Sequence, residues 1–569
     1  MSTNQEVVSI LQQIADLLDL AGERFKPEAY RRAARSIEAL AEDLRSVAAR
    51  GELRSVPGVG EAIEEKIEEY LRDGKVAYLE RIQKEVPPGI LQLMHLPGTG
   101  PKTARRLHVE LGIDGPQGLL SAIDSGRLTA VKGFGPKKIG QLRQAVAGAA
   151  TGTAEGSRHE LLTAWGIARS IIDRLSSLPS IDRIEAAGSL RRRRETIGDL
   201  DLLVTSPKPE EVFDAFSALP GIQEIKLRGG TKETVLYSGG FQVDLRVVEP
   251  MSFGAALQYF TGSKDHNIRL RTLARDRGLK INEYGVFRDD RRIGGATEEE
   301  VYRIFDLPWI PPEIRENQGE LEAAAKGKLP RLIELDQIRG DLHVHVAPDT
   351  TDRALAGLLD DVQRRGWSYV GLVASRAEWR REGIEPEKVV DRWKAFASQR
   401  RGPGPLVWVG EEVTHASGSR LPAPARGFDF WTLRPGDGLG RFVGFPDLKV
   451  DDPRPLYLAH VTSLGEDTDR KARHPLGWLA RLRELDIGVD VTPRPSREGP
   501  DSVTIRRLVE VNSGLYLSAG ADGTTDLSPM ELAVGLARRG WATAGHVRNT
   551  LPPESLNGVP RSSARKSRA

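Results

Sequence analysis

The chain has 569 residues, a formal net charge of +2 and no cysteine. The length predicts several domains, and the lack of cysteine excludes disulfides, thiolate zinc sites and cysteine nucleophiles. Since the charge is nearly balanced, any contact with nucleic acid must be local. The sequence contains no apolar run of 18 residues and no secretory pattern in MSTNQEVVSI. We therefore expect a cytoplasmic protein that makes no membrane contact.

Residues 1–86 are predicted to form short amphipathic helices. Ile10, Ile14 and Leu17 recur at helical spacing, and the segment 30–44 shows a similar pattern.

Three Gly-x-Gly turns, each followed by a predicted helix, form an internal repeat. They lie in SVPGVGEAIEEKIEEYL (55–71), LPGTGPKTARRL (96–107) and VKGFGPKKIGQL (131–142). The amides of such a turn can contact a DNA phosphate, and the repeat resembles helix-hairpin-helix elements, which hold the backbone without reading sequence. A single turn could be a helix cap, but three indicate DNA binding. The predicted DNA-binding residues are Gly58, Gly60, Gly98, Gly100, Lys102, Gly133, Gly135 and Lys137.

Residues 151–185 are predicted to be helical and lead into GSLRRRRETIGDLDLLV (188–204). Asp199 and Asp201 lie two apart in an apolar run that predicts a buried strand, so both carboxylates face the same way. A second predicted strand, GFQVDLRVV (240–248), adds Asp244.

These three carboxylates predict a metal site. A pair of carboxylates ~4 Å apart costs about 4 kcal/mol at an effective dielectric constant of 20, and divalent cations offset that repulsion. Two such ions promote in-line phosphoryl or nucleotidyl transfer. Gly188 and Ser189 begin a turn that can hold phosphate, and Arg191 and Arg192 add positive charge there. The alternative is a solvated Asp-x-Asp at a strand end, which the neighbouring Gly-Ser, the arginines and the third aspartate disfavour.

The sequence Gly-Ser, the arginines, GDLD and the later VDLR together resemble the nucleotidyltransferase palm of family X DNA polymerases, especially their longer bacterial and archaeal members. The segment LQYFTGSKDHNIRLRTLARDRGLKINEYGVF (257–287) resembles the nucleotide pocket of that family. The resemblance implies a DNA-directed DNA polymerase that fills short gaps in repair. It also implies that Asp199, Asp201 and Asp244 are catalytic and bind two Mg²⁺ (or Mn²⁺) ions. Asp244 would in addition position or deprotonate the primer 3′-hydroxyl.

The resemblance also implies a nucleotide site. Ser189 and Arg192 would hold the triphosphate, and the turn at 259–262 would lie beneath the sugar. Asn267 and Arg271, four apart on one helix face, would face the base and the template. Lys264 replaces an acidic residue of the family, which puts the base-stacking details in doubt but not the reaction. The predicted nucleotide-binding residues are Gly188, Ser189, Arg192, Tyr259, Phe260, Gly262, Asn267 and Arg271.

By the same resemblance, Lys66 occupies the position of the Schiff-base lysine in the lyase domain of the family, which removes 5′-deoxyribose phosphate. A nucleophilic lysine needs partial desolvation, whereas Glu64 and Glu65 would favour the ammonium form. The alternative is a solvated partner for Glu69.

A second region begins at IRGDLHVHVAPDTTD (338–352), where His343 and His345 have metal-ligand spacing on one strand face. A pair of solvated or core histidines is the alternative. In this context the region looks like the PHP (polymerase and histidinol phosphatase) domain of bacterial family members, which holds three metals and gives 3′→5′ exonuclease activity. By that resemblance Glu412 and His460 are ligands as well.

Several ligands of the PHP pattern are missing from this sequence. Ala374-Ser375 stands where the pattern has Asp-His, residues 431–434 contain no histidine, and 520–522 read Gly-Ala-Asp instead of Asp-Ala-His. Since a metal ion takes about four to six ligands, we expect no three-metal cluster, at most a residual ion on His343, His345, Glu412 and His460, and a weak or absent exonuclease.

The predicted fold class is multidomain α+β and α/β. The predicted parts are a helical lyase-like domain (1–86), a helix-hairpin-helix domain (87–150), a palm with a mixed sheet (151–260), a nucleotide-pocket subdomain (261–325), a linker (326–337), a PHP-like distorted barrel (338–555) and a basic tail (556–569).

We expect a monomer that binds duplex, gapped or nicked DNA and dNTPs. The basic tail could contact phosphate or be solvated. The alternatives are a template-independent or RNA-directed nucleotidyltransferase, which the hairpins disfavour, and a non-catalytic DNA-binding scaffold, which the three aspartates disfavour.

Overall fold

The computed structural model describes residues 3–556 with several gaps. The residues left out are 1–2, 24, 39–43, 85, 95, 97–98, 132–133, 136–137, 141, 144–145, 147–157, 401–403, 416–426, 436–455, 460–481, 485, 495–498, 522–525 and 557–569.

The N-terminal region is helical, as predicted, and has two separate apolar cores. Its first five helices are α1 (Thr3–Ala21), α2 (Lys26–Glu38), α3 (Leu44–Ala49), α4 (Glu61–Asp73) and α5 (Ala77–Lys84). Three more helices form the second core, and they are α6 (Pro88–Met94), α7 (Pro101–Leu111) and α8 (Pro116–Asp124). Of the predicted stripe, Ile14 and Leu17 are buried and Ile10 is half-buried.

The central region is built on a mixed five-stranded sheet. Helix α9 (Leu161–Leu175) precedes it. The strands in spatial order are β2 (Arg183–Ala186), β4 (Asp199–Thr205), β7 (Phe241–Val247), β6 (Lys232–Tyr237) and β5 (Ile222–Arg228). Strands β4 and β7 are parallel, and the other neighbours are antiparallel. The short helix α10 (Gly188–Arg191) precedes β4, and α11 (Pro209–Ser217) follows it.

The prediction that residues 151–185 are helical is only partly right. Residues 151–157 lie outside the described part of the chain. Helix α9 covers the middle, but β1 (His159–Glu160) pairs with β3 (Thr196–Ile197), and β2 forms the sheet edge. The strands at 159–160 and 183–186 are too short to show a periodic pattern, and the pairing of each with a distant strand fixes its conformation.

The next region packs against the central sheet, where Phe253 and Leu257 cluster with Leu203 of β4. It contains the helices α12 (Phe253–Thr261), α13 (Lys264–Asp276), α14 (Glu298–Arg303) and α15 (Glu320–Ala325). Between α13 and α14 lies an antiparallel sheet of β8 (Leu279–Asn282), β9 (Gly285–Arg288) and β10 (Arg291–Gly294).

The C-terminal region has a curled, fully parallel sheet whose strands follow one another in chain order. They are β11 (Gly340–His345), β12 (Tyr369–Ala374), β13 (Leu406–His415), β14 (Phe430–Pro435), β15 (Leu456–Leu458), β16 (Gly488–Val491) and β17 (Leu515–Leu517). Its helices are α16 (Asp352–Arg364), α17 (Arg376–Arg381), α18 (Pro386–Gln399), α19 (Ser502–Glu510), α20 (Met530–Arg539) and α21 (Pro553–Leu556). The sheet curls until the chain after β17 meets β11, where the Ala519 amide donates to Asp341.

The predicted linker is packed against the C-terminal region. Ile333 is fully buried and its amide donates to the Ala542 carbonyl, while Leu332 bridges to Thr543. Helix α20 lies against the region that follows the central sheet, where Arg538 contacts Glu313. In the described part of the chain, no helix is long and apolar enough to cross a membrane.

Candidate active site

The strand register brings the predicted carboxylates together. In the parallel pair of β4 and β7, Asp201 lies directly opposite Asp244, and Asp199 lies opposite Gln242. Asp199 is exposed, Asp201 is half-buried and Asp244 is buried. The predicted strands are confirmed, and the three acids form a graded series from solvent into the sheet.

The environment of Asp201 disfavours its charge. Burial, followed by the neighbouring Asp199 and Asp244, raises the pKa of Asp201 to about 7. The buried Asp244 is held from β6 by two side chains, since Thr234 Oγ1 donates at 2.8 Å and Lys232 Nζ lies 2.5 Å away. Lys232 and Arg246, which lies 3.8 Å from Asp244, only partly offset the three acids, so the site suits divalent cations. Sequence reasoning missed Lys232 and Thr234, because only the pairing of β6 with β7 brings them near.

Gly188 allows a close approach between α10 and the carboxylates. Its φ is +61°, and a Cβ there would lie 2.5 Å from Asp201 Oδ2. The Ala187 amide also donates to the Asp201 carbonyl at 2.8 Å. Helix α10 therefore begins against Asp201 and carries the half-buried Ser189 and then the arginines beside the metal-ligand candidates.

Arg192 connects α10 with the turn after α12. Its Nε donates to Glu316 at 3.0 Å and its Nη1 donates to the Thr261 carbonyl. Gly262 has φ +68°, and a Cβ there would lie 3.2 Å from Arg192 Nη1. The structure thus brings together Ser189, Arg192 and the 259–262 turn.

Arg191 lies beside Arg192 at the end of α10, and its positive charge is paired with a carboxylate. Its two terminal nitrogens donate to Glu298, each at 2.8 Å. Arg315, which is fully buried, donates to the same carboxylate at 2.6 Å. Burial raises the pKa of Glu298, but Arg315 and Arg191 outweigh it and hold that pKa far below the usual range. Glu298 and Arg315 lie over 100 residues from Arg191, and no sequence pattern marked them.

The predicted helix that carries Asn267 and Arg271 is confirmed as α13. Asn267 is buried and its amide is used twice, because Nδ2 donates to the Tyr259 carbonyl at 2.8 Å and Oδ1 accepts from Gln258 at 2.7 Å. The exposed Arg271 lies over the Tyr259 ring at 5.4 Å, and Phe260 packs edge-on to that ring. Asn267 therefore fixes the turn and the aromatic pair in place.

The described residues of the three Gly-x-Gly turns share one backbone hydrogen bond. The amides of Val59, Thr99 and Phe134 donate to the residue three positions earlier at 3.0, 3.0 and 3.1 Å. Gly60 and Gly100 then cap α4 and α7. The predicted residues within the described chain, Gly58, Gly60, Gly100, Lys102 and Gly135, are all exposed. Gly98, Gly133 and Lys137 lie outside the described residues.

Lys66 lies on α4 and is half-buried. Its Nζ donates to the Ala62 carbonyl at 2.7 Å and lies 4.7 Å from the Tyr78 ring centroid. Burial lowers the pKa of Lys66, although Glu65 and Glu69 oppose this effect. The ion-pair partner of Glu64 is Arg54. Lys66 thus has the partial desolvation that a nucleophilic lysine needs.

The C-terminal region brings three of the four predicted ligands together, and the fourth, His460, lies outside the described residues. His343, His345 and Glu412 have ligand atoms within 4.8 Å of one another. The buried Asp490 on β16, which sequence reasoning missed, accepts from His343 Nδ1 at 2.6 Å. Burial lowers the pKa of His343, but Asp490 and Glu412 raise it to about 10. This cluster favours a cation.

The positions without the expected ligands have other contacts. Arg434 Nη1 lies 3.3 Å from Glu412, in the segment where the pattern has a histidine. The Ala521 carbonyl accepts the His345 amide at 3.0 Å, and Ala374 ends β12 as a buried apolar residue. Asp522 lies outside the described residues. Two walls of the cluster are therefore apolar or cationic where ligands were expected.

The carboxylate site on the central sheet and the repeated Gly-x-Gly turns of helix-hairpin-helix type define a DNA polymerase of the nucleotidyltransferase class. Comparisons with known proteins agree. The family model described as DNA polymerase beta thumb matches residues 256–316. The models described as helix-hairpin-helix domain and SAM-like helix-hairpin-helix tandem match 2–76 and 90–147.

The chain belongs to the family X DNA polymerases. In an alignment of 581 positions that covers 98% of each chain, it is 36% identical to the DNA polymerase/3′-5′ exonuclease PolX of Bacillus subtilis. It is 26% identical to DNA polymerase lambda of Rattus norvegicus over 55% of this chain and 56% of that protein. It is 22% identical to DNA polymerase lambda of Arabidopsis thaliana over 55% of this chain and 62% of that protein. The chain is therefore a DNA repair polymerase that uses DNA, dNTPs and divalent metal ions.

Proposed function

We propose that Asp199, Asp201 and Asp244 hold two Mg²⁺ ions for nucleotidyl transfer during gap filling. The observation that supports this most is the β4–β7 register, which sets Asp201 opposite Asp244. Divalent ions, when bound, supply the charge neutralisation that a loose phosphoryl transition state needs. Asp244, held by Thr234 and Lys232, positions or deprotonates the primer 3′-hydroxyl.

The triphosphate binds at α10. Ser189 and the Gly188 amide contact it at the start of the helix, and Arg192 contacts it from the end. The turn that contains Tyr259, Phe260 and Gly262 supports the sugar. Asn267 acts through this turn, and Arg271 reaches the template side. Positioning of this kind is the main contribution of a protein to phosphoryl transfer.

The test is incorporation of labelled dNTPs on gapped, nicked and single-stranded DNA. Asp201→Ala should lose incorporation by orders of magnitude and keep DNA binding, because the metal site is lost and the hairpins remain. The matched control is Glu224→Ala, an exposed acid on β5 of the same sheet. Near wild-type extension by Asp201→Ala, or preference for single-stranded over gapped DNA, would contradict the proposal.

The hairpin turns bind the DNA backbone on both sides of the gap, and the enzyme acts as a monomer in the cytoplasm. Phosphate contacts imply steep salt dependence and little sequence preference. Gly60 and Gly100 offer a sharp test, since a Cβ on either meets nothing within 4 Å and neither has a positive φ. The Gly60→Ala/Gly100→Ala variant should fold normally yet bind DNA less well, because the methyl groups obstruct the phosphate.

The control for the hairpin variant is Gly166→Ala, at an exposed glycine on α9 where a Cβ also meets nothing. DNA affinity is measured by fluorescence anisotropy on a gapped duplex at several salt concentrations. Equal affinities for the two variants, or a flat salt dependence for the wild type, would count against hairpin binding.

Two further activities follow from single observations. The partial desolvation of Lys66 favours a 5′-deoxyribose phosphate lyase in residues 1–86. The cluster of His343, His345, Glu412 and Asp490 favours a residual metal ion in a PHP-like region at 338–555. Among the described residues, Ala374 and Arg434 stand where ligands were expected, so we propose that its exonuclease is weak or absent. The other proposed parts of the chain are a helix-hairpin-helix domain (87–150), a palm (151–260), a nucleotide-pocket subdomain (261–325), a linker (326–337) and a basic tail (556–569).

A further inference from the structure

Helix α20 of the C-terminal region contributes an arginine to the back of the proposed triphosphate site. Arg539 ends this helix, and its side chain is 5% exposed. Its Nη1 donates to the Arg192 carbonyl at 2.9 Å and to Glu316 at 2.9 Å. It therefore touches both Arg192 and the carboxylate that holds the Arg192 side chain, although it lies more than 300 residues away.

Glu316 is shared among three guanidinium groups. Its Oε1 accepts from Arg192 and from Arg539, and its Oε2 lies 3.6 Å from Arg194. Burial raises the pKa of Glu316, but Arg539, Arg192 and Arg194 outweigh it and hold that pKa below the usual value. Glu316 is thus ionised, and how strongly it holds Arg192 depends on the cations that share it.

Several further contacts around Arg539 join the loop after α10 to the C-terminal region. Glu195, in the loop after α10, accepts from the Ser502 amide at 3.1 Å and lies 3.7 Å from Arg539 Nε. Arg193 packs against Gly535, where a Cβ would lie 2.5 Å from Arg193 Cγ. The loop that follows α10 therefore rests on the C-terminal region along residues 192–195.

We propose that Arg539 is a positioning residue for nucleotide binding, which makes the C-terminal region part of the polymerase site. By sharing Glu316, Arg539 weakens the hold of this carboxylate on Arg192, so the Arg192 guanidinium can turn to the incoming triphosphate. Without Arg539, Glu316 directs its full charge to Arg192 and competes with phosphate. This inference rests on the proposed contact between Arg192 and the triphosphate.

The effect of Arg539 lies in nucleotide affinity. Arg192 holds the unreacting phosphates similarly before and during transfer, so weakening this contact raises KM and leaves kcat nearly unchanged. Arg539→Gln should raise the KM for dNTP about tenfold, the value of one charge-assisted hydrogen bond, with kcat within about twofold. Arg539→Lys keeps the charge and should restore most of the affinity.

The matched control is Arg538→Gln, one residue earlier on the same buried interface. Arg538 bonds Glu313 and the Ile333 carbonyl and makes neither of the Arg539 contacts with Arg192 and Glu316. Single-nucleotide insertion into gapped DNA gives KM and kcat for each full-length variant. An unchanged KM in Arg539→Gln would overturn the inference, and so would an equal rise in Arg538→Gln, which would indicate general loosening of the interface.

A second pair of variants tests the route through Glu316. In a Glu316→Gln background the competing charge is gone, so adding Arg539→Gln should change KM less than about twofold. The comparison of Glu316→Gln with the Glu316→Gln/Arg539→Gln double variant remains possible if Arg539→Gln alone fails to fold. In the double variant, no buried Glu316 charge is left without Arg539. A tenfold change in that background would refute the route. If Arg192→Gln leaves KM unchanged, the proposed triphosphate contact itself fails, which separates that failure from failure of the inference about Arg539.

Discussion

Replacing Asp201 with asparagine should make the metal-free protein more stable while removing its activity. Asp201 is half-buried beside Asp199 and Asp244, and its pKa is raised to about 7. Compared with an ordinary carboxyl value near 4, this pKa corresponds to an unfavourable free energy of about 4 kcal/mol for the ionised form. Asparagine has the same shape and no charge. Allowing for relaxation and water, we expect a gain of about 2 kcal/mol.

The pH dependence fixes the sign of this effect. A carboxyl whose folded pKa lies above its unfolded pKa costs nothing below the unfolded value. The cost grows as pH rises and is complete above the folded pKa. In the absence of metal, the stability of Asp201→Asn should therefore exceed that of wild type most at about pH 8 and much less at about pH 5. Magnesium should make wild type the more stable of the two proteins at pH 8, because only wild type gains the free energy of metal binding.

The assay is hydrogen exchange of peptides that cover β4 and β7, with chelator or with magnesium, since a multidomain chain does not unfold in one step. Glu224→Gln, an exposed acid on β5, is the control. The reasoning is refuted if Asp201→Asn exchanges faster than wild type in chelator at about pH 8. It is also refuted if magnesium protects both proteins equally.

Three further outcomes are expected. Lys66→Ala should abolish borohydride trapping on a 5′-deoxyribose phosphate end, and trapping equal to wild type would rule Lys66 out as the sole nucleophile. Mn²⁺-dependent 3′→5′ degradation of a labelled primer without dNTPs should be weak, and robust degradation abolished by His343→Ala would show that other residues complete that site. Glu298→Gln should destabilise its own region by about 3 kcal/mol, measured by hydrogen exchange of peptides that cover residues 298–315, because Arg315 is fully buried and loses its charged partner. A change below about 1 kcal/mol would contradict that account.

The parts of the site that follow from local pattern were predictable. Apolar runs with embedded acids identified β4 and β7, and Gly-x-Gly turns identified the starts of α4 and α7. A distorted barrel was expected from the PHP resemblance, and the described C-terminal residues form a curled parallel sheet.

Long-range partners were not predictable. Glu298, Asp490 and Arg539 meet Arg191, His343 and Arg192 across 107, 147 and 347 residues. A buried acid or arginine at such a position has no periodic signal, because its partner is chosen by how separate elements pack. The same reason explains why the sequence did not reveal the ion pair between Arg191 and Glu298.

The pairing of β4 with β7 makes the polymerase centre tolerant of change in the chain between them. The two strands are neighbours in the sheet, yet α11 and the β5–β6 hairpin separate them in sequence. Backbone hydrogen bonds between β4 and β7 set the distance between Asp201 and Asp244. This distance therefore does not depend on the length of the chain between the two strands. Insertions at the exposed turn formed by Gly229 and Gly230 should leave the two acids aligned. A loop at that turn can therefore lengthen or acquire new contacts without altering the chemistry beside it.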